Sequence, residues 1–181
     1  PISVSGIEEA AQGQLVYSLQ NEYGGASLVV CYSDMEAKSF YEGLQLYTDN
    51  AAYFPSKEYV FYNIETKDFH CEHKRLKIAD RLLHGENIIV VSSIDALMQY
   101  ALPPEILREN SIDFKPGMCF ELEELAESLV KIGYVRVDMV EGIGQFALRG
   151  GILDVFSPNC ENPYRIEFFD NETDSIRIFD R

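Results

Sequence analysis

The chain has 181 residues, 46% of them hydrophobic, with 11 Phe and 11 Tyr, enough for one large core or two small ones. Thirty acidic against 15 basic side chains give a net charge of −15, which argues against a general nucleic-acid-binding surface and against adsorption to anionic membranes. No apolar run reaches the roughly 18 residues of a membrane span, and the N-terminus lacks the basic-then-apolar pattern of a secretion signal, so a cytoplasmic protein without membrane partners is expected.

The first half alternates strand and helix signals. "ISVSG" reads as a short strand. "EEAAQGQLVYSLQNEY" follows as a helix, with Leu15, Val16 and Leu19 at helical spacing and Gly24-Gly25 closing it. "SLVVCY" is a near-continuous apolar run, as a strand buried on both faces would be. "SDMEAKSFYEGLQLY" opens with Ser33 and Glu36, a capping-box pair. "AAYFP" and "YVFYN" are short extended runs. "KDFHCEHKRLKIADRLLHG" reads as a helix ending at Gly85, "NIIVVSS" as a second buried strand, and "SIDALMQYALPPE" as a helix stopped by Pro103-Pro104. This order predicts an α/β domain with a parallel sheet over residues 1–105. After it come one amphipathic helix, "CFELEELAESLVKIG", and consecutive strand-like runs separated by Gly, Asn and Asp turns. Residues 106–181 are therefore expected to form a smaller α+β domain with an antiparallel sheet.

The four cysteines, Cys31, Cys71, Cys119 and Cys160, form no C-x-x-C pair and carry no zinc or redox signature. His70, His73 and His84 lie in or beside one charged helical stretch and read as a solvated face, so no metal site is expected.

In an α/β domain a phosphate-binding loop would follow the first strand. Gly6 sits where that loop's first glycine belongs. Gln12 occupies the lysine position and Gly13 the Ser/Thr position that would bind magnesium. Glu8 and Glu9 lie where phosphate would enter and repel it. The loop therefore reads as a degenerate nucleotide site, and no ATP hydrolysis is expected of this chain. "GIGQFA" at 142–147 matches G-x-G-x-x-A but leads into a strand, where the dinucleotide motif must open a helix.

The C-terminal runs are the more informative. In "PYRIEFFD" a period of two sets Tyr164, Ile166 and Phe168 on one face and Arg165, Glu167 and Phe169 on the other. In "QFALRG" Phe146 and Leu148 are core-like, whereas Gln145, Ala147 and Arg149 face outward. Two arginines and a phenylalanine then share an open sheet face, and these residue types dominate protein interfaces. The alternative is that Phe169 packs under a loop and the arginines pair with local acids such as Glu167. The pattern alone leaves both open.

The segments R-G-G-I-x-D-x-F (Arg149 to Phe156), P-x-R-I-E-x-F and D-S-I-R-x-F-D resemble, in order and spacing, the N-terminal UvrB-homologous module of the bacterial transcription-repair coupling factors, Mfd. "YFPSKEYVFYN" and "VVSSIDALMQYALPPE" extend the resemblance over nearly the whole chain. Lys57 stands where that family often has tryptophan, and Phe61 where it has proline. The resemblance implies a non-enzymatic module that recruits the excision-repair protein UvrA through its second domain. Arg149, Arg165 and Phe169 match the contact positions. It also implies a helicase-like first domain that has lost its ATP site and is completed by a later segment, leaving an uncovered sheet edge. RNA polymerase, DNA, ATP and magnesium would be met by other parts of the longer protein. The competing reading is a UvrB-type nucleotide-dependent repair domain that binds ATP and DNA. UvrB keeps an intact phosphate loop and a DNA-gripping hairpin, neither of which is present here.

Overall fold

Three apolar runs of the first half pair in parallel. They are β1 (Ser27–Cys31), β2 (Ala51–Phe54) and β3 (Ile89–Ser93), in the order β1-β3-β2. They belong to a computed structural model that describes residues 2–57 and 70–179. The chain divides into two compact units, Pro1–Pro104 and Glu105–Arg181.

In the first unit, α1 (Glu9–Tyr23) precedes β1, and α2 (Asp34–Leu44) connects β1 to β2. The start of α2 is fixed by a capping pair: the Ser33 hydroxyl accepts from the Glu36 amide at 3.2 Å, and the Glu36 carboxylate accepts from the Tyr32 amide at 3.0 Å. α3 (His70–Leu83) connects β2 to β3. Side chains alternate across the sheet as strand geometry requires. Ala51, Ile89 and Val91 pack with Ala37 and Leu44 of α2, whereas Ala52 and Val90 pack with Ile78 of α3. Helices thus cover both faces around β3, which is buried at every position.

Three expectations for this unit need correction. "ISVSG" forms no strand; regular structure starts at Glu9. β1 is not buried on both faces: it is an edge strand, and Leu28 and Val30 are half exposed. A continuous apolar run says nothing about whether a second neighbour is present. The stretch after β3 is not one helix stopped by prolines. It holds a single turn, α4 (Ile94–Leu97), capped by the Ser93 hydroxyl, which accepts from the Ala96 amide at 3.1 Å. Pro104 then opens α5 (Pro104–Glu109), a position where the missing N–H costs nothing. The run "YVFYN", with Phe61, lies outside the described residues.

The second unit lays α6 (Leu122–Lys131) against a five-stranded sheet. Its strands are β4 (Val135–Arg136), β5 (Gln145–Arg149), β6 (Ile152–Val155), β7 (Tyr164–Phe169) and β8 (Glu172–Ile178), ordered as in the chain. β5 to β8 are antiparallel, as expected, but β4 joins β5 in parallel, so the sheet is mixed. Leu125, Ala126 and Leu129 of α6 close the core over Phe146, Leu153, Val155, Ile166 and Phe168. Phe120 meets Phe168 edge to face at 6.2 Å between ring centres, an arrangement that aromatic quadrupoles favour. Among the described residues no helix is long and apolar enough to cross a membrane.

Candidate functional site

The face of the second sheet turned away from α6 follows from its register. β5 and β6 meet in a two-residue turn, Gly150-Gly151, that pairs Arg149 with Ile152 and Ala147 with Asp154. β6 and β7 then pair Asp154 with Arg165 and Ile152 with Glu167. β7 and β8 pair Arg165 with Arg177 and Phe169 with Glu172. Directly opposed residues of an antiparallel pair share a face, so Arg149, Asp154, Arg165, Glu167, Phe169, Glu172 and Arg177 form one surface. The register shift between Glu167 and Phe168 is absorbed by an extra residue in β8, and β7 keeps its alternation.

The glycine pair is a turn with one tight side. Gly150 has φ 59, a conformation that suits glycine at the first central position of a hairpin turn. At Gly151 a Cβ would lie 2.7 Å from the Phe168 carbonyl oxygen. The Gly151 carbonyl accepts from the Phe168 amide at 2.7 Å. Close approach of the turn to β7 therefore brings Arg149 and Phe169 to the same end of the sheet.

Asp154 organises the surface. Its side chain is 3% exposed. Arg165 grips it with two donors, Nε to Oδ1 at 2.6 Å and Nη2 to Oδ2 at 2.8 Å. Arg149 Nη2 donates to the same Oδ2 at 2.8 Å. Burial alone would raise the Asp154 carboxyl, but the hydrogen bonds and charge of Arg165, then those of Arg149, outweigh it and hold the carboxyl below its ordinary value. The Arg165 guanidinium also stands 5.0 Å over the Phe179 ring. The arginines stay partly open, with side chains 55% exposed at Arg149 and 30% at Arg165. Beside them, Glu167 accepts from Ser175 at 2.9 Å and pairs with Arg177. With the exposed Glu172 opposite Phe169, three arginines meet three carboxylates, so this surface is formally neutral in a chain of −15.

Phe169 is 82% exposed and lies under no loop. The two arginines do pair with a local acid, but it is Asp154 and not Glu167. Ala147, expected to face solvent, is buried with Val140 and Phe156, and Val137 and Phe179 pack against them. One end of this face is thus a small second core. Sequence reasoning missed Asp154 and Arg177. A lone Asp in the apolar run "ILDVF" was the available signal for the first.

The residues read as a degenerate nucleotide loop are not brought together as one. Gly6 and Glu8 precede α1, with no strand before them. Gln12 is an exposed residue of α1. Gly13, inside α1, is buried, and a Cβ there would make an ordinary van der Waals contact with the Tyr47 ring at 3.6 Å. The described residues contain no cluster of three or more His, Cys, Asp or Glu able to hold a metal.

Residues 112–181 match the UvrB interaction domain family. Over 178 residues, 97% of the chain, it is 32% identical to the transcription-repair-coupling factor of Bacillus subtilis (strain 168). Over 99% of the chain it is 32% identical to that of Myxococcus xanthus. The chain is homologous to part of the transcription-repair coupling factors. It spans 15% of the Bacillus protein and 16% of the Myxococcus protein. Within the chain the family match takes in α6 and all five strands of the second sheet, hence every residue of the surface just described.

Proposed function

We propose that this chain is a docking module that recruits UvrA in transcription-coupled repair through the Arg149–Arg165–Phe169 face, and that it carries no enzymatic activity or cofactor of its own. RNA polymerase, DNA and the ATP-driven motor belong, on this reading, to the rest of a longer protein. The observation that carries the proposal is a phenylalanine 82% exposed beside two carboxylate-held, partly open guanidinium groups on a domain similar to the UvrB interaction family. An acidic partner surface with an apolar pocket fits it: the pocket takes Phe169 and the carboxylates accept the free arginine donors.

The test is co-elution with UvrA on a sizing column. Arg149→Ala, Arg165→Ala and Phe169→Ala together are expected to abolish the complex while far-UV circular dichroism stays unchanged. Each truncation should cost on the order of 2 kcal/mol of binding. Complex formation by the folded triple variant would sink the assignment.

A further inference from the structure

We infer that Asp154 is a positioning residue of the docking face, a buried carboxylate that fixes the direction of both arginines without meeting the partner. The inference rests on the docking reading above and deepens it. With its side chain 3% exposed, Asp154 is covered by the groups it holds. Its two oxygens accept three donors: Nε and Nη2 of Arg165 and Nη2 of Arg149.

The geometry divides each guanidinium into a held side and a free side. Arg165 gives one fork, Nε and Nη2, to Asp154 and stacks on Phe179. Its Nη1 is left to point away from the carboxylate. Arg149 gives a single Nη2 and keeps Nε and Nη1. Long flexible side chains normally lose rotamer freedom on binding. Here that loss is taken on folding, before a partner arrives, because the sheet register places Asp154 directly opposite Arg165 and diagonal to Arg149.

Charge and positioning predict opposite signs for one substitution. By charge alone Asp154 opposes an acidic partner, since it cancels one of the two positive charges. Asp154→Asn should then tighten binding. By positioning, the neutral amide cannot accept all three donors, the arginines become mobile, and binding weakens through faster dissociation.

The 181-residue chain, wild type and Asp154→Asn, would be measured on immobilised UvrA by surface plasmon resonance. The expected result is about tenfold weaker binding, carried by the dissociation rate. Equal or tighter binding by the folded variant overturns the inference and leaves the docking reading intact. No binding by the wild type overturns the docking reading, and the inference with it. A second readout needs no partner: the Arg165 Nε–H resonance should exchange slowly with water in the wild type and be lost to exchange in Asp154→Asn. A rapidly exchanging Arg165 Nε–H in the wild type overturns the positioning. Should Asp154→Asn not fold, Asp154→Glu keeps the charge and displaces the carboxylate by one methylene, and unchanged UvrA binding by it also overturns the inference.

Discussion

Phe146 and Phe169 lie on the same sheet, and their removal should have different consequences. Phe146 is fully enclosed by the α6 core, whereas Phe169 projects into solvent. Phe146→Ala is expected to lower unfolding free energy by about 3–5 kcal/mol. Phe169→Ala should stay within about 0.5 kcal/mol of the wild type yet still weaken UvrA binding. Urea denaturation of both variants checks the pair. Asp154 makes a prediction about pH. Its folded carboxyl titrates below the unfolded value, which is about 3.9. The stabilisation is therefore fully present above that pH and is lost as pH falls through the folded value. Asp154→Asn should abolish this part of the acid-induced loss of stability, read as a flatter stability profile below about pH 4. The facing of Arg149, Arg165 and Phe169 was legible from period two alone, because β7 carries no bulge of its own. The burial of Asp154 was not, since it depends on arginines from two neighbouring strands, and that pairing needs the register.

At the scale of the element, the β5–β6 hairpin separates two uses of glycine. Gly150 needs only its positive φ, for a Cβ there would meet nothing. Gly151 needs space against the Phe168 carbonyl. Gly150→Ala should cost roughly 1 kcal/mol, from left-handed strain. Gly151→Ala should cost more, on the order of 1–3 kcal/mol, because backbone must shift. Thermal unfolding of the two single variants would rank them, and the reverse order would contradict the turn geometry. Strand order in the first unit was less legible. "SLVVCY" has five apolar residues in six and "NIIVVSS" four in seven, yet the richer run is the edge and the poorer the centre. Local pattern is silent on which strand acquires two neighbours. The one-turn α4 was overextended for a similar reason. Helical spacing continues past Leu97, but Met98 and Tyr100 are exposed and no packing rewards a longer helix.

The whole molecule sets charge against the proposed docking surface. A chain of −15 carries a face whose three arginines are matched by three carboxylates, so its local charges act over little more than the Debye length of about 8 Å at physiological salt. Contact at close range, not long-range steering, is then the expected source of affinity. The same charge predicts that the isolated chain binds duplex DNA weakly at low salt and loses that binding by about 200 mM. Fluorescence anisotropy with a labelled duplex tests this, and salt-resistant binding would contradict it. Two units with separate cores were foreshadowed by the change from alternating elements to consecutive strands.

The two hairpin ends have a consequence for inheritance. Arg149 and Phe169 are each the last strand residue before a two-residue turn, and the main-chain bond between Gly151 and Phe168 ties those turns together. Their spacing is thus written in backbone hydrogen bonds and in one missing methyl group. Most solvent-facing side chains can drift, as they must between proteins sharing 32% of their residues, without moving the contact points apart. The same economy makes the motif portable: a foreign antiparallel meander given these two turns, the strand residues before them and the central aspartate should present the same contacts.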